Sequence, residues 1–305
     1  MRVTSEQRLS CPDGLLVAPE RSCGTGVLVL AGSSGRVDTE RVRLLGQYGA
    51  TAMSIQWFGG PGQQPQPLDI PLETFTTALD RLARHCERLA VIGLSFGAEA
   101  ALLLAARDPR VAAVVAFAPS PVVWAGVAPA ADGVPARVTS HWTVDGVPLP
   151  FVPFDDTWQP AATPPAFRGL YEQSLQRNPH VTAAAAIPVE QIRGEVVVVG
   201  GEDDQVWPSA DFARTIAARR AEHGLPTGVI THPEAGHRTI LPGEPPVAGG
   251  ADIARGGTLR ADAELGALVW PVLVEVLRLR TAGRGGVAGQ RAGARRRPRR
   301  SPPPR

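Results

Sequence analysis

The stretch Val91-Ile92-Gly93-Leu94-Ser95-Phe96-Gly97-Ala98-Glu99-Ala100-Ala101-Leu102-Leu103-Leu104 decides the fold. A short apolar run, Leu89 to Ile92, reads as a buried strand. It meets Gly-x-Ser-x-Gly, and an Ala/Leu-rich segment of helical character follows. A strand, a tight turn carrying a serine and a helix together make a nucleophile elbow. The serine sits where the backbone reverses, so the residues two positions to either side must lack bulk; Gly93 and Gly97 meet that need. The helix N-terminus beneath Ser95 also favours negative charge developing there. The five-residue pattern alone is weak in a chain with 33 glycines. The strand before it and the helix after it give it meaning.

Outward from the elbow, the chain alternates strand and helix. Gly14 to Ala18 reads as a first edge strand. Gly26 to Ala31 is a continuous apolar run, the mark of a strand buried on both faces. It breaks at Gly32-Ser33-Ser34-Gly35. Arg36 to Tyr48 has apolar residues at helical spacing, Thr51 to Ile55 reads as a strand, and Pro71 to Cys86 as an amphipathic helix with proline at its start. After the elbow come a buried strand at Val111 to Phe117, another at Glu195 to Gly200, a helix from Ser209 to His223 and a last strand at Gly228 to His232. A closing helix through Leu265 to Leu277 is expected to kink at Pro271. Such alternation predicts a mainly parallel sheet with helices on both faces.

The rhythm breaks from about 119 to 190, a stretch rich in proline and aromatics with sparse periodicity. So long an irregular segment is expected to be a cap over the site rather than a plain insertion packed on the core. The expected organisation is one α/β domain over 1–280, with 119–190 as a cap-like insertion, and a disordered Arg/Pro/Gly-rich tail at 281–305.

Composition excludes several chemistries. All 31 basic residues are arginine. Without lysine there is no Schiff base, no pyridoxal phosphate attachment and no P-loop. The three cysteines, Cys11, Cys23 and Cys86, show no metal-ligand spacing, and an odd count argues against a disulfide framework. No apolar run is long enough to span a bilayer, and the N-terminus lacks a signal-peptide pattern. A cytoplasmic protein with reduced thiols is expected, with no membrane partner, metal or cofactor.

The net charge of +2 is unevenly placed. The tail holds eight arginines and no acid, leaving 23 basic against 29 acidic residues elsewhere. The tail reads as solvated, with weak binding to nucleic acid or acidic lipid as the sharper alternative; no aromatics interleave its arginines, so base stacking finds no support and nucleic acid is not the expected partner. The oligomeric state is left open.

A serine hydroxyl needs a base within hydrogen-bond reach and a carboxylate to orient that base. On an elbow fold the partners follow in the order Ser, Asp/Glu, His, on loops at the strand ends. Glu202-Asp203-Asp204-Gln205-Val206-Trp207-Pro208 follows one strand and Pro233-Glu234-Ala235-Gly236-His237 the next. The candidates are therefore Ser95, Asp204 and His237. Asp204 is preferred because it precedes Val206 and Pro208 at the spacing usual in α/β-hydrolases, with Asp203 in reserve. Either aspartate also reads as a cap for the following helix. His232 is a second base candidate. His85, His141, His180 and His223 read as structural or exposed, and a buried partner or helix-start electrostatics accounts for Glu99 as well as catalysis does. The oxyanion needs preorganised N–H donors. The backbone N–H of Phe96 is one, and Ser33 in the loop after the second strand is the favoured other, with Ser34 next.

These residues carry a resemblance. Ile187-Pro188-Val189-Glu190-Gln191-Ile192, Gly200-Gly201-Glu202-Asp203-Asp204-Gln205-Val206-Trp207-Pro208-Ser209 and Ala235-Gly236-His237, with the elbow and the Gly32–Gly35 loop, resemble the C-terminal catalytic domain of the acyl-CoA thioesterase / bile acid-CoA:amino acid N-acyltransferase family. The likeness covers roughly 14–280, and Asp-Gln-Val-Trp-Pro-Ser is its specific part. It implies a dienelactone-hydrolase-like α/β-hydrolase fold, with Ser95, Asp204 and His237 as a triad acting on acyl-CoA or related thioesters. In that family a serine nucleophile goes with hydrolysis and a cysteine with transfer to an amine. The chain departs from its relatives at Phe96, where they often carry lysine. The alternatives are a carboxylesterase of small oxygen esters, an acyl-CoA:amino acid N-acyltransferase, or a non-catalytic binding protein on a hydrolase scaffold.

Overall fold

Strands that read as unbroken apolar runs occupy the middle of the sheet, and the elements on either side follow from how those runs are covered. The computed structural model describes residues 3–128, 130, 136–247 and 249–280; the expected basic tail lies outside them. In chain order the elements are β1 (Val3–Ser10), β2 (Asp13–Pro19), β3 (Thr25–Leu30), α1 (Thr39–Gln47), β4 (Thr51–Ile55), β5 (Ile70–Pro71), α2 (Glu73–Ala83), β6 (Arg88–Leu94), α3 (Phe96–Arg107) and β7 (Val111–Phe117). The segment from 119 to 190 carries β8 (Ala125–Ala128), β9 (Arg137–Ser140), β10 (Trp142–Val144), β11 (Val147–Pro148), α4 (Arg168–Arg177), α5 (Pro179–Ala184) and a 3-10 turn at Val189–Gln191. The chain then returns to β12 (Glu195–Gly201), α6 (Ser209–Glu222), β13 (Gly228–His232) and α7 (Leu259–Val276).

The main sheet has eight strands in the order β1-β2-β4-β3-β6-β7-β12-β13. The strands from β4 to β13 are mutually parallel, and β2 pairs antiparallel with both β4 and β1. Side chains alternate across a strand, so an apolar run buries residues on both faces. Leu28 and Leu30 face the layer built from α2, α3 and α6, whereas Val27 and Val29 face α1 and α7. The chain moves from β3 out to β4, then crosses back to place β6 on the other side of β3. That reversal opens a crevice at the C-terminal strand ends, where open α/β sheets bind ligands.

Three boundaries differ from the sequence reading. Gly14 to Ala18 belongs to β2, which is not the edge; β1 lies outside it, pairing antiparallel from Ser5↔Ala18 to Ser10↔Asp13. From Ser5 to Ser10 every residue but Leu9 is exposed, so backbone pairing rather than apolar content makes this part of the strand. Its charges blunt an open edge. Ile70–Pro71 pairs with β10 instead of starting the helix, which begins at Glu73. In α1, Asp38 accepts from the Arg41 amide and sets the start three residues later than expected.

The insertion docks on α3 through a buried carboxylate. Glu99 is fully buried, and its Oε1 accepts from Trp142 Nε1 at 2.6 Å and from the Trp124 backbone N–H at 3.3 Å. Both tryptophans are fully buried. Oε2 has no partner. Burial holds this carboxyl well above the usual range, the two donors opposing only in part. Burial thus favours the neutral carboxyl, with Oε1 accepting from both tryptophans.

Two outcomes test this packing. Gly266 lies inside α7, where Ala is the better helix former by about 1 kcal/mol. A Cβ there would overlap the carbonyl oxygen of Ile240. Gly266→Ala is expected to lower the unfolding free energy by about 1–3 kcal/mol, and a rise in denaturant midpoint would contradict the close approach. For Glu99, a carboxyl whose folded pKa is raised makes the native state bind more protons than the unfolded one, so stability falls as pH rises above the ordinary value of 4.5. Glu99→Gln keeps an acceptor for the two tryptophans and removes the titration. Urea titrations across pH should show the variant gaining on the parent as pH rises; a constant difference would rule out the neutral carboxyl.

Candidate active site

Ser95 is held in a conformation that few L-residues adopt, with φ 58° and ψ −124°. Such a backbone costs about 1–3 kcal/mol and persists where the surroundings fix it. Its N–H donates to Phe117 O at 2.9 Å, and its carbonyl accepts from Ala98 and Glu99 at 2.8 and 3.1 Å. A Cβ on Gly93 would collide with the Gly97 carbonyl, and one on Gly97 with the carbonyls of Leu30 and Ala31. The crossing of β3, β6 and α3 thus leaves no room for side chains there. The Phe96 N–H lies in the first turn of α3, where no intrahelical acceptor exists.

Gly32 packs against Ser95: a Cβ on it would stand 3.0 Å from Ser95 Cβ and 3.6 Å from its Oγ. The Gly32–Gly35 turn, closed by a Gly35 N–H to Gly32 O bond of 2.9 Å, therefore lies beside the serine. Ser33 and Ser34 are exposed and line the same cavity as Ser95.

Asp204 and His237 meet across the ends of β12 and β13. Their side chains are 2.8 Å apart, Nδ1 to Oδ2, with the aspartate fully buried. Asp204 Oδ1 accepts from the amides of Val206 at 2.8 Å and Trp207 at 3.3 Å, which fixes the carboxylate. A proton held on Nδ1 leaves Nε2 as the free base. The His237 amide donates to Arg255 O at 2.9 Å, and the ring meets Trp207 edge-on at 5.6 Å. Asp203 faces elsewhere: its carboxylate accepts from the Gly257 amide and from Gln205 Nε2. His232 accepts from the Glu234 amide and sits 3.4 Å from Glu264.

Ser95 and His237 both line a cavity of about 470 Å³. The insertion supplies its apolar wall, including Phe154, Phe167, Leu170 and Tyr171. Arg168 at the start of α4 ties that wall to the aspartate loop by donating to the carbonyls of Glu202 and Asp204. Sequence reasoning placed His141 among structural or exposed histidines. It is buried and lines the cavity, its ring 4.1 Å from that of Phe96, and burial pushes its pKa down to about 3. It is a neutral ring at any ordinary pH. Burial, helped by nearby Asp204, likewise keeps the Tyr171 phenol protonated. No local pattern marks these two residues, because tertiary docking of the insertion brings them in.

Residues 70–281, more than half of the chain, match the family described as BAAT / Acyl-CoA thioester hydrolase C terminal. The chain is similar to acyl-coenzyme A thioesterase 6 of Mus musculus, 26% identical over 246 residues that cover 76% of this chain and 52% of the relative. It is also similar to acyl-coenzyme A amino acid N-acyltransferase 2 of Rattus norvegicus, 26% identical over 237 residues covering 76% and 53%. The chain thus spans about half the length of these curated relatives. Among solved structures, a Klebsiella pneumoniae protein described as a dienelactone hydrolase superposes with a TM-score of 0.54 at 15% identity, covering 91% of this chain and 99% of that one, which is a likeness of fold. With the sheet order, the elbow and the matched span in agreement, the chain is an α/β-hydrolase-fold member of the BAAT / acyl-CoA thioester hydrolase C-terminal family.

Proposed function

We propose that this protein is a serine hydrolase that cleaves acyl thioesters, acyl-CoA foremost. The observation that carries the reading is the buried Asp204–His237 hydrogen bond facing the same cavity as a serine on a strained elbow. His237 Nε2 takes the Ser95 proton as Oγ attacks the carbonyl carbon. The N–H groups of Phe96 and Ser33 receive the oxyanion. As the tetrahedral intermediate collapses, the C–S bond breaks and His237 returns the proton to the departing sulfur. Water, deprotonated by His237, then attacks the acyl-serine; the bond to Ser95 Oγ breaks, the acid leaves and His237 returns the proton to Oγ. Asp204 holds the tautomer and stabilises the imidazolium.

The apolar wall from the insertion suits an acyl chain, and covering that chain is the role we assign to this segment as a cap. A serine rather than a cysteine nucleophile favours hydrolysis over transfer to an amine, although three of the relatives are named for amino acid N-acyltransfer. The described residues include no helix long and apolar enough to cross a membrane, and Cys11, Cys23 and Cys86 are free thiols. The free thiols fit the reducing cytoplasm we assign to it.

Free-thiol release from acyl-CoAs of graded chain length, run beside oxygen esters of the same acids and with glycine or taurine added, tests the reading. Thioester turnover without amide product is expected. Ser95→Ala should lower kcat by several orders of magnitude, and Asp204→Asn by roughly 10³–10⁴-fold, since an asparagine favours the wrong imidazole tautomer. Turnover of esters with idle thioesters would make the protein a carboxylesterase. Near-full activity of Ser95→Ala would remove the nucleophile.

A further inference from the structure

The cavity that holds Ser95 and His237 is lined by three arginines, Arg36, Arg238 and Arg255, and by no aspartate or glutamate among the described residues. Outside the 281–305 tail, acidic residues outnumber basic ones. The positive charge in this cavity therefore opposes the balance of the surrounding chain. None of the three makes an ion pair among the described residues. Arg238 donates to the carbonyls of Val247 and Gly249, and Arg255 to those of Ile253 and Ala251. Those bonds brace the loop but leave the charges uncompensated. Arg36 makes no side-chain hydrogen bond among the described residues.

The guanidinium groups converge. A Cβ on Gly250 would stand 3.0 Å from Arg238 Nη2 and 3.2 Å from Arg255 Nη2, so the two heads lie side by side. All three arginines are partly buried. Burial, and the neighbouring charges of Arg255 and Arg36, weaken the hold of Arg238 on its proton, with Asp262 the one opposing carboxylate. Asp262 is itself engaged by the Gly236 amide at 2.8 Å. Three like charges gathered in a partly buried cavity, with Asp262 alone opposing them at Arg238, cost stability, and a bound anion relieves that cost.

Their places along the chain tie them to the reaction centre. Arg36 follows the Gly32–Gly35 loop, Arg238 follows His237, and Arg255 supplies the carbonyl that accepts the His237 amide. A second cavity of about 320 Å³ shares Arg36, Leu94, Arg238 and Val247 with the first. The second cavity is also lined by Asp38, Glu40, Glu244 and Asp262, so the unbalanced positive charge belongs to the first. The insertion's aromatic wall lies in that first cavity too, which therefore has an apolar part and a cationic part.

We propose that Arg36, Arg238 and Arg255 form an anion-binding subsite that takes a phosphate or carboxylate carried by the substrate. Guanidinium is suited to both, through paired N–H donors. This rests on the thioester-hydrolase reading and adds a substrate class to it: thioesters with an oxyanion on the leaving group or on the acyl chain.

The test compares three thioesters of one acyl length: acyl-CoA, S-acyl-pantetheine, which has no phosphate, and the ω-carboxyacyl-pantetheine. The parent is expected to prefer at least one anionic substrate over the neutral one by ~10-fold or more in kcat/KM. That ratio should fall ~10-fold or more in Arg36→Gln and Arg238→Gln, and the preference should weaken in 0.5 M NaCl. Acyl-CoA as the favoured substrate identifies phosphate; the carboxyacyl compound identifies carboxylate. Arg36→Gln keeps the test sound if Arg238→Gln loosens the loop, and Arg238→Lys should recover part of the ratio. Equal ratios in parent and variants, or no anionic preference in the parent, would overturn the subsite. Ser95-dependent hydrolysis of the neutral thioester in that case would leave the hydrolase reading standing, whereas oxygen-ester turnover alone would sink that reading and not the arginine comparison, which is then repeated with neutral and carboxylated esters.

Discussion

Close approach of backbone to backbone at the β6–α3 turn is the constraint on which the rest depends. Neither Gly93 nor Gly97 has space for a methyl group, because helix and neighbouring strand meet with no side chain between them. That contact lets α3 start directly at the strand end and pushes Ser95 into a positive φ. The strain is held by bonds to Phe117, Ala98 and Glu99, two elements of the core and none of the cavity. The hydroxyl is therefore presented by the most buried part of the sheet, at the crevice where the strand order reverses. Rigid support of this kind keeps a nucleophile placed without help from the substrate.

Around this turn the molecule leaves several polar atoms unsatisfied. Glu99 Oε2, His141 Nδ1 and Trp207 Nε1 are buried without partners. Each such group costs about 1–3 kcal/mol. Glu99 lies in the first turn of the helix that Ser95 caps, His141 packs on Phe96, and Trp207 packs on His237. These three thus lie around the candidate machinery, whereas Thr25 Oγ1 and Arg88 Nε, also without partners among the described residues, sit at the opposite end of β3 and β6. The cavity wall is apolar and aromatic on the insertion's side and cationic where the arginines stand. A site divided in this way separates a chain that avoids water from a group that carries charge.

The readily legible parts of the fold were those where one physical effect dominates. The runs at 26–31, 111–117 and 195–200 are buried on both faces, and composition alone announces that. The elbow was legible because close packing excludes every residue but glycine at two positions. Asp204 and His237 were legible as candidates because each follows a buried strand in a loop, and their side chains do meet. β1 was missed because its residues are charged and its stability comes from pairing with β2. The insertion's pieces are two to ten residues long and take their form from docking on Glu99 and β5, so periodicity carries no signal for them. The same holds for His141 and Tyr171. Arg238 stands next to His237 in the sequence, but nothing local says that Arg36 and Arg255 come to it.

The most direct test of the central claim is to label the protein with a fluorophosphonate, locate the adduct by peptide mass spectrometry and follow thioesterase activity in the same samples. The account predicts one adduct, on Ser95, with activity lost in proportion to labelling and with protection by an acyl thioester substrate. Activity that survives full labelling of Ser95, or an adduct elsewhere that alone abolishes activity, would contradict it.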